Sequence, residues 1–230
     1  MKLGIIGAME SEVKHLCASL EDGVFTKHAG MDFCEGTLHG CNVVVVRCGI
    51  GKICAATCAQ ILVDLYGVTH IINTGVAGSV DNEVGIEDMV VSTEVIHHDV
   101  DVTALGYALC EVPGLHSITF KADPVLREAA VEACKQTDAQ INIHVGRTAS
   151  GDQFIAKAQD RKHISELTGA LCCEMEGGAI AQICCQNEVP FVIIRAISDK
   201  ADGSAEMDYT EFEHAAAVRC AAITRYMITH

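Results

Sequence analysis

The sequence predicts an α/β fold: a central twisted, mixed β-sheet flanked by helices. Two observations predict it. Short β-branched runs alternate with longer stretches of helical periodicity along the chain, and most runs end in small-residue turns. The chain has 230 residues and shows no linker, low-complexity tract or internal repeat, so one domain spanning 1–230 is expected.

The elements follow in order. Leu3 to Ile6 reads as a strand closed by Gly7-Ala8-Met9. From Glu10 to Leu20, Val13, Leu16, Cys17 and Leu20 share one helical face. Val43 to Val46 is a strand closed by Gly49-Ile50-Gly51, and Lys52 to Leu65 a helix rich in Ala, Cys, Ile and Leu. Thr69 to Asn73 reads as a strand ending in the turn Thr74 to Gly78. Asp88 to Ile96 is strand-like, Pro124 to Cys134 helical, Ile141 to Ala149 strand-like and Gln159 to Leu167 helical. Ala170 to Cys173 leads into a helix from about Met175 to Gln186. Pro190 to Ala196 is a strand, and Phe212 to Thr229 a final amphipathic helix.

A net charge of −15 and only seven arginines exclude the basic stripe that a nucleic-acid surface needs. No apolar stretch is long enough to span a bilayer. Met1 to Met9 faintly imitates a signal peptide, but Glu10 and Glu12 interrupt it, so cytoplasmic location is expected. Thirteen cysteines without a C-x-x-C spacing read as small buried hydrophobes in a reducing cell rather than as a disulfide scaffold or zinc site.

Three carboxyl groups stand out. The run Phe191 to Ile194 empties into Arg195-Ala196-Ile197-Ser198-Asp199, which predicts a serine and a carboxyl group at a strand's carboxyl tip, where open α/β sheets build ligand crevices. Among apolar walls such a carboxyl is placed to hold a proton and donate it. Glu12 sits just inside the first helix, and Glu174-Met175-Glu176 opens another; each glutamate could equally serve the helix dipole. Gly49-Ile50-Gly51-Lys52 lacks the phosphate-loop spacing and reads as a tight turn bringing backbone close to a ligand. Phe154, in the loop from Ser150 to Ile155, is either a core ring or a stacking platform. His97-His98-Asp99-Val100-Asp101 imitates a metal cluster but reads better as a solvated, partner-contacting loop.

Taken in order, these segments are more specific than any one alone. Gly4 to Met9 with Glu12, Gly49 to Lys52, Asn73 to Gly78, His98 to Thr103 with Gly106-Tyr107, Ser150 to Asp152, Glu174 to Glu176 and Arg195 to Asp199 together resemble the 5′-methylthioadenosine/S-adenosylhomocysteine nucleosidases. These belong to the purine nucleoside phosphorylase superfamily, and the resemblance runs from Met1 to the last helix.

The resemblance implies a nucleoside-phosphorylase-like fold and hydrolysis of the N-glycosidic bond of these adenine thionucleosides, and of 5′-deoxyadenosine, within methionine salvage. It implies Glu12 as general base, Asp199 as the acid protonating adenine N7, and Glu176 as the acceptor for the ribose hydroxyls. Met175 would pack on the sugar, Phe154 would stack on adenine, and the Ile155 backbone would read the base edge. Arg195 and Ser198 would line the nucleophile and base regions, and Met9, Ile50 and Gly78 the pocket wall. Val76 stands where many relatives carry a hydroxyl. Leu105 stands where some carry a phenylalanine, and with Pro113 it would wall the pocket of a neighbouring subunit in a homodimer. Tyr209 replaces a frequent phenylalanine. No cofactor or metal is implied. The rival readings are a phosphorylase of the same superfamily, a hydrolase of futalosine or its amino form, and a nucleoside-binding protein without turnover.

Overall fold

The computed structural model describes the backbone of residues 1–200 and 205–229 and the side chains of 1–200 and 212–229. In chain order the elements are β1 (Lys2–Gly7), α1 (Glu10–Ala18), β2 (Glu21–His28), β3 (Met31–Leu38), β4 (Cys41–Arg47), α2 (Lys52–Asp64), β5 (His70–Ser79), β6 (Met89–His97), β7 (Thr119–Lys121), α3 (Pro124–Thr137), β8 (Ile143–Ser150), α4 (Ala158–Thr168), β9 (Cys172–Glu174), α5 (Gly177–Gln186), β10 (Phe191–Lys200) and α6 (Ala205–Thr229).

All the strands join one mixed sheet, and β5 is its hub. β5 pairs in parallel with β1 and β10 and antiparallel with β9. β10 pairs antiparallel with β6, β6 in parallel with β8, and β8 in parallel with β9. The path β5–β10–β6–β8–β9 therefore returns to β5 and closes a ring. From β5 the sheet also extends as an open wing, β1–β4–β3–β2.

Burial explains the strand sequences. Val43 to Val46 are fully buried, as expected of an interior strand covered on both faces. In β10, Ile193 packs into the cluster built with α2 and α5, which includes Ile6, Leu62 and Ile180. Its neighbours Val192 and Ile194 pack into the cluster built with α3 and α6, which includes Ala130 and Ile223. Alternate residues thus feed opposite layers. Asp123 caps α3, its Oδ1 accepting from the N–H groups of Val125 and Leu126 at 2.9 Å, with Pro124 in the first turn.

Four expectations are corrected. The stretch Thr74 to Gly78 is the second half of β5 rather than a turn. β10 runs on to Lys200 rather than ending at Ala196, so Ser198 and Asp199, at the carboxyl tip as expected, belong to the strand itself. Glu174 ends β9 and α5 begins only at Gly177, so Met175 and Glu176 form the junction. His97 is a buried residue of β6, its Nε2 3.2 Å from Gln182 Oε1, and not part of a solvated loop. The hairpin β2–β3 and the short β7 were not expected.

Candidate active site

The side chains singled out by sequence converge where β5 meets its neighbours. Glu12 is buried 2% exposed, although it sits in the first turn of α1. Its Oε2 accepts the N–H groups of Ala8 at 2.6 Å and Met9 at 2.9 Å, and its Oε1 accepts that of Val76 at 3.1 Å. Two glycines make room for it. A Cβ on Gly75 would lie 2.5 Å from Glu12 Oε1, and one on Gly7 2.9 Å from the Glu12 Cβ. Helix-start stabilisation is thus real, since Met9 is the cap residue, but the carboxylate also bridges to β5. Burial pushes its pKa up, and the Arg195 charge and the three N–H groups oppose that rise.

Asp199 is equally buried. The β10–β5 register slips between Ile197 and Asp199, which makes Ser198 the extra residue of a β-bulge. The bulge lets Ser198 and Asp199 line the same cavity, and the Ser198 hydroxyl donates to Asp199 Oδ1 at 2.8 Å. Gly78 is the β5 partner of Asp199, and a Cβ there would meet Asp199 Oδ2 at 2.8 Å.

Glu176 caps α5 and accepts the Gly51 N–H at 2.8 Å on Oε1. Burial, and after it the charge of Glu174, raises its pKa to about 7. Glu174 behaves oppositely. Burial works to raise its pKa, but the Arg195 guanidinium and the N–H groups of Gly177 and Glu176 outweigh it and hold the carboxyl low. Arg195 Nη2 contacts Glu174 Oε2 at 2.5 Å and Asn73 Oδ1 at 2.6 Å. A buried pair of this kind is costly to break from one side, because the remaining charge is left unpaired.

These groups surround a cavity of about 640 Å³. Of the residues expected from sequence, Met9, Glu12, Ile50, Val76, Gly78, Phe154, Ile155, Met175, Glu176, Ser198 and Asp199 line it. Phe154 is half exposed, presented by its loop rather than absorbed into the core. Arg195 does not line it; the guanidinium lies beneath the wall, held by Glu174 and Asn73. Leu105 and Pro113 are exposed and outside this cavity. Tyr209 lies outside the described side chains. Ala8, Ala77, Val80, Gln153, Cys173 and Glu174 complete the lining and were not singled out as site residues. For Glu174 a signal existed, since the pair Glu174 and Glu176 was visible; only the structure separates an ion-paired member from one with a raised pKa. Among the described residues no group of three or more His, Cys, Asp or Glu could hold a metal ion, and no helix is long and apolar enough to cross a membrane.

The family model of the phosphorylase superfamily matches residues 2–229. The chain belongs to that superfamily. Within it, the chain stands with the 5′-methylthioadenosine/S-adenosylhomocysteine nucleosidases. The nucleosidase of Shewanella sediminis is 43% identical over 213 residues, covering 92% of each chain. That of Neisseria meningitidis, solved in complex with methylthio-immucillin-A, superposes with a TM-score of 0.95 at 36% identity, covering 99% of this chain and 98% of that one. That of Colwellia psychrerythraea, solved in complex with adenine, gives a TM-score of 0.94 at 40% identity over 99% of this chain and 94% of that one. A futalosine hydrolase mutant of Helicobacter pylori shares this phosphorylase-superfamily fold, with a TM-score of 0.94 at 28% identity over 99% and 98% of the two chains.

Proposed function

We propose that this protein hydrolyses the N-glycosidic bond of 5′-methylthioadenosine and S-adenosylhomocysteine, and of 5′-deoxyadenosine, releasing adenine and the 5-substituted ribose. The observation that carries the proposal is that buried Glu12, Glu176 and Asp199 line one cavity together with the half-exposed ring of Phe154.

The chemistry fits these groups. Adenine leaves poorly as an anion and readily once N7 is protonated, which is the role proposed for Asp199. The departing base leaves an oxocarbenium-like sugar, and the surrounding carboxylates stabilise its positive charge. Water attacks the anomeric carbon while Glu12 takes its proton. A raised pKa makes Glu12 a stronger base, and its three N–H donors and Arg195 keep the ionised form accessible. Position 76 contributes its backbone to hold Glu12 rather than a hydroxyl to hold water. Glu176 accepts from the ribose hydroxyls, Met175 packs on the sugar, and Phe154 and Ile155 take the base. Arg195 acts from beneath the wall. No metal or organic cofactor enters this scheme, so chelators leave the rate unchanged.

A phosphorylase would place a phosphate dianion among the four carboxyl groups of the lining, with the Arg195 guanidinium outside it. Free adenine measured from methylthioadenosine with and without phosphate tests the reading. Equal rates support hydrolysis, and a rate that requires phosphate with a ribose 1-phosphate product overturns it. The Helicobacter pylori neighbour favours a second reading, hydrolysis of futalosine or its amino form, which competition among the nucleosides decides.

We further read residues 1–230 as one nucleosidase domain working in the cytoplasm as a homodimer. The family match over residues 2–229 and the free state of all thirteen thiols support this. Leu105, 75% exposed and outside the lining of its own cavity, is suited with Pro113 to complete the pocket of a second copy. Sedimentation should give a dimer, and Leu105→Asp should raise KM.

A further inference from the structure

We infer that Lys52, Asp99 and Asp152 form a latch that positions the base-stacking loop, a task none of the groups in the proposed chemistry performs. The inference rests on the reading of Phe154 and Ile155 as the adenine end of the site. The loop carrying them leaves β8 at Gly151 and enters α4 at Ala158, and it has no secondary structure of its own. At its root, Asp152 Oδ1 accepts the backbone N–H of Lys52 at 2.8 Å, and the Asp152 N–H donates to Asp99 Oδ2 at 3.1 Å. The Lys52 ammonium closes the triangle on Asp99 Oδ1. Its members come from three separate places: the start of α2, the segment after β6, and the loop itself.

The geometry is built for close approach. A side chain on Gly51 would press within 3.1 Å of Asp152 Oδ1, and one on Gly151 would collide with the His98 ring. Gly51 also holds φ +95°, a conformation that favours glycine. Lys52 and Asp99 are both about four-fifths buried at their side chains, so the pair is better shielded than an ordinary surface ion pair. The N–H of Gly51, adjacent to that of Lys52, donates to Glu176. The otherwise unpaired N–H groups at the start of α2 thus grip the ribose carboxylate with one residue and the base loop with the next. One helix end sets the spacing between the sugar and base contacts.

Stacking on adenine is made in both the ground state and the transition state, so loosening the loop should weaken both equally. Asp152→Asn and Lys52→Met should each raise KM for methylthioadenosine roughly tenfold while kcat stays within about threefold. The double variant should be no worse than the stronger single, because both open the same triangle. Lys52→Arg should retain near-normal KM, and Asp99→Asn, a milder break, should reproduce part of the rise. Unchanged KM in the singles, a loss confined to kcat, or additive losses would each overturn the latch. Amide hydrogen exchange separates this inference from the proposed reaction. A wild-type protein that releases no adenine sinks the reaction alone, and the latch then stands or falls on whether residues 151–157 exchange faster in Asp152→Asn than in wild type.

Discussion

Asp199→Asn and Glu12→Gln each replace a carboxyl by a near-isosteric amide that cannot exchange the proton. A positioned acid or base contributes about 10²–10⁴-fold, so adenine release should fall by at least ~10² in either variant, with thermal unfolding close to wild type. Near-normal turnover would remove the role assigned to that residue. Glu176 gives a pH signature. Its pKa is raised from 4.5 to about 7 by burial and by the Glu174 charge, so it loses its full acceptor capacity as pH falls through about 7. KM should rise on that side and flatten in Glu176→Gln, as read from a KM–pH profile. The stability sign is the reverse. Folding favours the protonated form, so this group's contribution is fully present below about pH 4.5 and is lost as pH rises through about 7. At this scale the sequence made Glu12, Glu176 and Asp199 visible as residue types in order. It could not show that Glu174, two positions from Glu176, spends its charge on Arg195, because that pairing spans 21 residues and three strands of the ring.

At the scale of elements, the second half of β5 holds the site together, and it is the segment whose small residues read as a turn. Gly75 and Gly78 are small because Glu12 and Asp199 occupy the volume beside them, not because the chain reverses there. Gly78→Ala tests this. Its Cβ would fall 2.8 Å from Asp199 Oδ2. Displacing a catalytic group by an ångström can cost about 10²-fold, so kcat should drop by roughly that factor, while the unfolding midpoint moves by only a few degrees. A kcat within twofold of wild type would mean that Asp199 is not held where the proposal needs it. The strands and helices with strong periodicity, such as β4, α2 and α3, were legible close to their ends. The β2–β3 hairpin was not. β2 is exposed along nearly its whole length, so it shows no alternation. Its turn at Ala29-Gly30 and the next at His39-Gly40 take positive φ at both central residues without the Asn-Gly or Asp-Gly that marks such turns. Ser198 and Asp199 were legible as residues but not as a bulge, since a slip in register exists only once the partner strand is known.

For the whole molecule, the ring β5–β10–β6–β8–β9 means that the strands carrying Asp199, Val76 and Glu174 are each hydrogen-bonded to neighbours on both sides. The fold class and the family were legible because order along the chain survives where individual motifs are weak. The cysteines, by contrast, resisted a functional reading, and the structure shows why: all thirteen are free and nine are buried, eight of them within the same apolar clusters as the valines and isoleucines. Only Cys54 and Cys185 are exposed. The polypeptide consequently carries its own gauge of intactness. An alkylating reagent applied to the undisturbed protein reaches those two positions and the half-buried Cys17 and Cys41, and every adduct counted by mass spectrometry on the nine buried thiols marks a layer that has come apart.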